Sequence, residues 1–260
     1  MYLEVMKKEF MQQWTYRANT VLYLLGIVLQ LFVQVSLWTY LSKENAAGDI
    51  TYNDMLLYVV FSMVTAAFTN SDTCDNLGGK VYDGSITIDI IRPISVKGYM
   101  LGQFWGQILY RISFCILPVL LTSILLLGIR FQFSILRILL FIVSMVLAAF
   151  LMFYLNYILG LTAFWLQKIW FMSFYVNGCM NLFGGSSIPI WFYPDWLKDL
   201  SLFLPFRYMA FEPINICIQY NDWRDWIRII LIQMAWLVLL FCLERLLWKK
   251  AERRIFVNGG

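Results

Sequence analysis

Long hydrophobic runs without a charged residue alternate with short charged segments along the chain. The longest uncharged run covers residues 138–167, and further long runs cover 18–42 and 169–194. A helix needs roughly 20 mainly apolar residues to cross a bilayer, and arginines near the end of a shorter run can extend it by reaching the interface. The pattern therefore predicts six spans. Their boundaries are about 18–41, 54–71, 99–128, 135–160, 169–189 and 225–247.

Two of the segments outside these spans have amphipathic patterns. In residues 1–17, apolar side chains recur at helical spacing at Leu3, Met6 and Phe10, with lysines on other faces. This spacing predicts an interfacial helix on the membrane surface, although a simple juxtamembrane anchor would show the same pattern. Residues 190–224 combine aromatic residues, scattered charges and helix-breaking prolines, which predicts short amphipathic helices at the outer leaflet before the last span.

The loop 72–97 has a different composition. Gly84 and Pro93 bound a short turn that carries several isoleucines, among them Ile86 and Ile88. Such a segment is too apolar to stand free in water and too short to form a domain. It is therefore expected to dock into a groove of another protein, or else to pack against its own bundle.

Composition and charge agree with a polytopic membrane protein and indicate its orientation. Hydrophobic residues make up 61% of the 260 residues and charged residues 14%, whereas soluble domains have about 45–50% and 25%. Six spans place both termini on one side of the membrane. With that side in the cytoplasm, 13 of the 20 basic residues lie inside, as the positive-inside rule requires. The expectation is an all-α, single-domain membrane protein over 1–260.

The residues that several classes of chemistry need are missing from the sequence. Histidine is absent, the five cysteines are scattered without CxxC spacing, and no GxxxxGK[ST] phosphate loop occurs. Aspartate and glutamate fall near the ends of the predicted spans, which disfavours proton coupling and intramembrane hydrolysis. We therefore predict no catalytic residues, no metal site and no cofactor bound by this chain. A secondary transporter or channel not powered by ATP remains the alternative.

Polar side chains within the predicted spans are candidates for a transport path or a dimer contact, because lipid leaves them no other partner. The alternative is that they only form hydrogen bonds between helices of one bundle. Arg111 would face a cavity or a partner if it lies deep, or would reach the interface if its helix lies oblique. The candidates are Gln30, Gln34, Thr65, Arg111, Asn177 and Asn181.

Three stretches in order resemble a known family. They are GSITIDIIRPIS (84–95), GGSSIPIWFYPDW (184–196) and LPFRY (204–208), set among the spans described above. Together they resemble the permease subunits of ABC-2-type transporters, which have six spans per subunit. Each stretch is degenerate by itself, and their order and spacing make the resemblance specific over nearly the whole chain.

The resemblance implies a membrane subunit of an ATP-driven exporter in a prokaryotic plasma membrane. Two permease subunits, identical or paralogous, would pair within the lipid and move an amphipathic or hydrophobic cargo such as a drug, a peptide antibiotic or a lipid-like molecule. ATP and Mg²⁺ would bind to separate ATPase subunits, and no nucleic acid is involved. A coupling helix in the loop 72–97 would seat on the ATPase. The residues it implies for this contact are Asp83, Gly84, Ile86, Ile88, Asp89, Arg92, Pro93 and Ser95.

Overall fold

All regular structure in the described residues is helical. The structure, a computed structural model, describes residues 1–15, 17–43, 51–127, 134–166, 169–218 and 222–258. Residues 16, 128 and 219–221 of the predicted segments lie outside these ranges. The helices are α1 (Tyr2–Thr15), α2 (Arg17–Lys43), α3 (Tyr52–Thr69), α4 (Thr73–Tyr82), α5 (Ile86–Ile91), α6 (Val96–Arg111), a π-helical turn (Ile112–Ile116), α7 (Leu117–Leu127), α8 (Ile135–Leu161), a 3₁₀ turn (Thr162–Phe164), α9 (Met172–Phe183), a 3₁₀ turn (Ile190–Phe192), α10 (Asp195–Leu202), α11 (Pro205–Met209), α12 (Phe211–Ile218) and α13 (Trp223–Asn258).

Hydroxyl side chains fix the starts of three of these helices. Thr51, Ser95 and Ser134 precede α3, α6 and α8, and each accepts a hydrogen bond from the backbone N–H three residues further on. Such a cap satisfies one of the amide groups that the first turn of a helix leaves without a partner. Local sequence thus sets where these three helices begin, while their apolar composition determines that they are buried or lipid-facing.

Five helical stretches in the described part of the chain are long and apolar enough to cross a membrane. They are Thr20–Tyr40, Tyr52–Tyr82, Val96–Leu125, Ile135–Phe164 and Trp223–Arg254. The predicted span 169–189 contains α9, whose 12 residues make about 18 Å against a hydrocarbon core of about 30 Å. Gly185 follows with φ +70°, a conformation that ends the helix. Five of the six predicted spans therefore coincide with helices that are long and apolar enough to cross a membrane, and the sixth stays a prediction.

One end of the bundle is built around α4. Leu77 of α4 packs in one buried cluster with Tyr157 and Leu161 near the end of α8, and Trp248 of α13 lies 6.3 Å from the Tyr157 ring. The start of α6 joins them, because Lys97 Nζ lies 3.0 Å from Glu244 Oε2 of α13. We call this the α4–α5 end.

The opposite end of the bundle contains the end of α2 and the starts of α8 and α13. Trp38 near the end of α2 stacks on Phe192 at 5.2 Å, and Arg137 at the start of α8 lies over the Trp226 ring at the start of α13. Helix α8 thus finishes at the α4–α5 end, whereas α13 begins at the opposite end. The connection between them returns across the bundle even though α9 is short.

Part of that connection dips back toward the bundle centre. Gln233 of α13 donates to the Tyr208 carbonyl oxygen of α11 at 2.8 Å and exchanges hydrogen bonds with Ser144 of α8. Ser144 and Gln233 lie about 15 Å from the starts of their helices, roughly half the thickness of the hydrocarbon core. Arg207 and Glu212 bring opposite charges to this region and form an ion pair, with Arg207 Nε 2.6 Å from Glu212 Oε1. Helix α11 therefore packs against the middle of α8 and α13.

Helix α1 packs side by side with α6. Gly98, Gly102 and Gly106 form a stripe on α6 against which α1 lies so closely that an added Cβ at Gly106 would be 2.6 Å from the Met6 carbonyl oxygen. The buried Glu9 carboxylate of α1 accepts amide hydrogen bonds from α6 side chains. Small residues spaced by four allow this approach, as they do between membrane helices generally.

Candidate transport path and coupling segment

Helix α5 has one buried and one exposed face. Ile86 is only 3% exposed and packs with the α4 and α6 side chains, and Asp89, three residues on, is buried as well. On the other face Ile88 is 58% and Ile91 84% exposed, although both are large apolar side chains. Helix α5 is thus anchored through its buried face and exposes Ile88 and Ile91, which we call the isoleucine tip.

Two ion pairs hold the buried face of α5 in place. Asp89 accepts from Lys80 Nζ of α4 at 2.5 Å and pairs with Arg92 Nη1 at 2.9 Å. Lys80 Nζ also lies 4.9 Å from the centre of the Tyr99 ring of α6. Because Asp89 is shielded from water, these charge-assisted contacts are stronger than an exposed surface pair. The isoleucine tip is consequently fixed to both α4 and α6.

The turns on either side of α5 are defined by single residues. Gly84 has φ +77°, which a residue with a side chain rarely adopts. The Asp83 carboxylate accepts hydrogen bonds from the Ser85 hydroxyl and backbone N–H at 2.7 and 2.9 Å, and these bonds lower the pKa of Asp83. Pro93 is exposed, and Ser95 caps α6. These residues shape the segment rather than present a binding surface.

A groove lined by both polar and apolar side chains runs along α2 and α3 from α9 toward the α4–α5 end. It has three adjoining compartments of about 160, 240 and 360 Å³, and Tyr23 lines all of them. Ser62 is shared by the two smaller compartments, and Asn177 and Asn181 of α9 close the 240 Å³ one. Among the residues that the structure describes, hydroxyl, amide and apolar side chains line these two compartments, and none of them is charged.

In the described part of the chain, the charged side chains that line the groove lie in its third compartment. Arg111 and Asp72 both line this 360 Å³ part at the α4–α5 end. The Arg111 guanidinium donates to the carbonyl oxygens of Ala67 and Asn70 at the end of α3, at 3.3 and 2.6 Å, and to Gln107 Oε1. It therefore supplies partners for terminal carbonyls of α3 that the helix leaves unsatisfied.

Comparison with known proteins identifies the family. A model of the family described as ABC-2 family transporter protein matches residues 27–259. The chain belongs to the ABC-2 transporter family. No curated protein matches it. The ABC-2 chain is thus a membrane-embedded permease component of an ABC transporter, and its family implies partnership with ABC ATPase subunits.

Within this ABC-2 permease, the groove brings together most of the polar residues predicted from the sequence. Gln30 lines the 160 Å³ compartment, and Thr65 lines the 240 Å³ one with its hydroxyl bonded to the Phe61 carbonyl oxygen. Gln34 does not line any of the three compartments and accepts a hydrogen bond from Trp38 Nε1 at 3.2 Å. The contact of these lining residues with cargo stays a prediction.

Two further residues belong beside the predicted candidates: Tyr23 was missed by the sequence reasoning, and Ile91 was included only among the isoleucines of the loop 72–97. Tyr23 precedes Gln30 by seven residues, so that spacing already places both on one face of α2. Ile91 follows Ile88 by three residues and shares the exposed face of α5, opposite Ile86 and Asp89. The sequence shows the helical spacing in both cases, but it does not show which face of each helix is covered by other helices.

Proposed function

We propose that this chain is the permease subunit of an ATP-driven exporter that crosses the membrane six times with both termini in the cytoplasm. It pairs with a second permease subunit, identical or paralogous, and with separate ATPase subunits, which bind ATP and Mg²⁺. The observation that carries the proposal is α5, whose exposed isoleucines Ile88 and Ile91 are anchored by ion pairs at the end of the bundle where α1 begins and α13 passes Trp248.

The arrangement of the termini supports the even number of crossings. Tyr2 Oη lies 3.3 Å from Ser95 Oγ at the start of α6, and the last turns of α13 follow Trp248 at the same α4–α5 end. An even number of crossings is the topology that returns a chain to its starting side. In our proposal the segment 169–192 makes the sixth crossing with α9 and the non-helical stretch beyond Gly185.

The groove supports an amphipathic cargo. Its two smaller compartments offer uncharged hydroxyl and amide groups beside apolar side chains, whereas Arg111 and Asp72 stay at the α4–α5 end. A molecule with a polar head and an apolar body would find partners for both parts without a charge entering the neutral compartments. We propose export of drug-like, peptide-antibiotic or lipid-like molecules from the cytoplasm or inner leaflet of a prokaryotic plasma membrane.

Retention of the ATPase by α5 variants tests the proposal. Ile88→Asp and Ile91→Asp place a charge on the exposed face of α5, and we expect each to lower the amount of ATPase that co-purifies by about tenfold or more, as for an interface anchor. Leu125→Asp is the matched control, because Leu125 is exposed on α7, far from α5. Equal ATPase retention by the Ile91 variant and the wild type would contradict the proposed coupling.

A secondary transporter is the competing function. It would need no ATPase and would take its energy from an ion gradient, for example through sodium bound by backbone oxygens. Transport that continues when the partner ATPase is deleted, and stops when the sodium gradient is collapsed, would favour that alternative.

A further inference from the structure

The third compartment of the groove along α2 and α3 contains two opposite charges that are not paired with each other. Arg111 of α6 and Asp72, which precedes α4, both line its volume of about 360 Å³. In the described part of the chain, neither side chain forms an ion pair, and the other residues that line the compartment carry hydroxyl, amide or thiol groups. The compartment thus presents one cation and one anion to a molecule that enters it.

The Arg111 guanidinium is positioned by neutral groups. It donates to the carbonyl oxygens of Ala67 and Asn70 and to Gln107 Oε1. Gln107 is buried and donates in turn to the buried Glu9 carboxylate of α1 at 3.2 Å. The Nε–H group of Arg111 has no hydrogen-bond partner among the described residues. The guanidinium therefore keeps a charged donor for a ligand anion.

The Asp72 carboxylate is available in the same way. Aspartate before a helix commonly accepts a hydrogen bond from the first turn, but the side chain of Asp72 forms no such bond with α4. The neighbouring Ser71 Oγ accepts from the Thr73 backbone N–H instead, at 3.3 Å. Because Asp72 is also exposed, its carboxylate can accept a hydrogen bond from a ligand cation.

The compartment lies at the depth of lipid headgroups. Helix α3 has 18 residues and a length of about 27 Å, close to the hydrocarbon core of about 30 Å. Asn70 follows this helix directly, and its carbonyl oxygen is the one that Arg111 binds at 2.6 Å. Thr20, near the start of α2, bonds to Tyr110 Oη at 2.5 Å, and both line the compartment. The ends of two spans therefore place the compartment at the membrane boundary.

Two separate charges of opposite sign select the class of ligand. A simple anion would be attracted by Arg111 and repelled by Asp72, and a simple cation would experience the reverse. A zwitterion places an opposite charge against each side chain. The volume of the compartment is within the range of small-ligand sites, about 300–1,000 Å³. At headgroup depth, a phospholipid with a phosphate and an ammonium group has the required chemistry.

We infer that this compartment binds the headgroup of a zwitterionic phospholipid of the phosphoethanolamine type, with the phosphate on Arg111 and the ammonium on Asp72. The inference rests on the proposed function in so far as it makes this lipid the cargo, taken from the inner leaflet. Tyr23 joins the compartment to the two smaller ones, which offer uncharged groups to the rest of the molecule.

Native mass spectrometry of the full chain in detergent tests the inference without the ATPase. The protein is mixed with equal amounts of phosphatidylethanolamine and phosphatidylglycerol that have the same acyl chains. We expect the wild type to prefer phosphatidylethanolamine by about two- to fivefold, the range of an exposed ion pair. Asp72→Asn should remove this preference, because it removes the partner of the ammonium. Arg111→Gln should lower retention of both lipids by about tenfold, since both carry a phosphate.

Two controls accompany these variants. Arg245→Gln removes an exposed arginine of α13, which lies over the Phe241 ring and does not line the compartment, and it should leave the retention of both lipids unchanged. Soluble phosphoethanolamine is added as a competitor without acyl chains. Competition as strong as that of the whole lipid would overturn the phospholipid assignment in favour of a small zwitterion.

The remaining outcomes decide against the inference. Equal retention of the two lipids by the wild type, or a preference that survives Asp72→Asn, would overturn it. So would a preference for phosphatidylglycerol, which indicates a cationic site; the side chain of Arg17 at the start of α2 lies outside the described residues and is kept in every variant. If Arg111→Gln does not fold because its bonds to α3 are lost, the Asp72 comparison decides.

The lipid measurement and the ATPase measurement fail separately. Loss of the lipid preference while the ATPase is retained through Ile88 and Ile91 would overturn this inference alone. A lipid preference that follows Asp72, in a chain that retains no ATPase, would overturn the proposed function and leave the lipid site standing.

Discussion

At the scale of single residues, close packing depends on glycines whose role is visible only in three dimensions. Gly98, Gly102 and Gly106 recur every four residues in α6, and α1 lies directly against them. The amphipathic pattern of residues 1–17 predicted a helix with one apolar face. It did not indicate that the buried Glu9 carboxylate binds to α6 through amide groups, because the contact joins residues almost 100 positions apart.

Enlarging one of these glycines should destabilise the protein. Gly106→Val places side-chain atoms against the Met6 carbonyl oxygen, which as backbone cannot move aside, and we expect a loss of about 1–3 kcal/mol from overpacking. The control Gly26→Ala meets no neighbour in α2 and should gain up to about 1 kcal/mol of helix propensity. Thermal unfolding in detergent measures both variants, and equal melting temperatures would contradict the packing.

The turn before α5 carries a pH dependence with a defined sign. Two hydrogen bonds from Ser85 lower the pKa of Asp83 below its ordinary value. The stabilising bonds are therefore fully present above the ordinary carboxyl pKa and are lost as the pH falls through the lowered one. Ser85→Ala should raise the pKa of Asp83, as measured by carboxyl ¹³C NMR, and an unchanged titration midpoint would show that the bonds are absent in solution.

At the scale of secondary-structure elements, the long apolar helices could be predicted from the sequence, whereas the short helices could not. Five long spans follow directly from uncharged runs. The 12-residue α9 and the five-residue α11 cannot be predicted in this way, because their positions depend on tertiary hydrogen bonds such as Gln233 to the Tyr208 carbonyl oxygen. Among the coupling residues predicted in α5, Ile86 and Asp89 are buried and Ile88 is exposed. The packing of α5 on its neighbours shows this division, and the sequence alone does not.

The bracing of α5 is open to direct measurement. Asp89→Asn keeps the size of the side chain but leaves Lys80 and Arg92 without their shared carboxylate, which should cost about 1–3 kcal/mol locally. Hydrogen exchange at the α5 amides should accelerate by about 10- to 100-fold as a result. The exposed Asp75→Asn is the control and should leave α5 exchange unchanged. Unaltered exchange in the Asp89 variant would show that α5 is held by other contacts.

At the scale of the whole molecule, the start of α1 and the last third of α13 both lie at the α4–α5 end. Tyr2 contacts the start of α6, and the buried Glu244 near the end of α13 pairs with Lys97 in the same region. The count of uncharged runs predicted six crossings, which would bring both ends of the chain to one side of the membrane, and the sixth crossing stays a prediction. The groove along α2 and α3 was only partly predictable, because helical spacing groups residues within one helix but does not show which helices lie side by side.

Reporter fusions test this topology. A green fluorescent protein at either terminus should fluoresce, and alkaline phosphatase at either terminus should be inactive, because both ends are proposed to lie in the cytoplasm. An active phosphatase at one terminus alone would mean an odd number of crossings and would exclude the sixth.

The most direct test of the central claim, that a separate ATPase powers this permease through α5, is the ATP hydrolysis rate in proteoliposomes. The chain alone should hydrolyse no ATP, the complex with its ATPase should hydrolyse ATP and respond to cargo, and the Ile88→Asp/Ile91→Asp double variant should lose the cargo response. Hydrolysis by the chain alone, or a cargo response that survives the double substitution, would contradict the account.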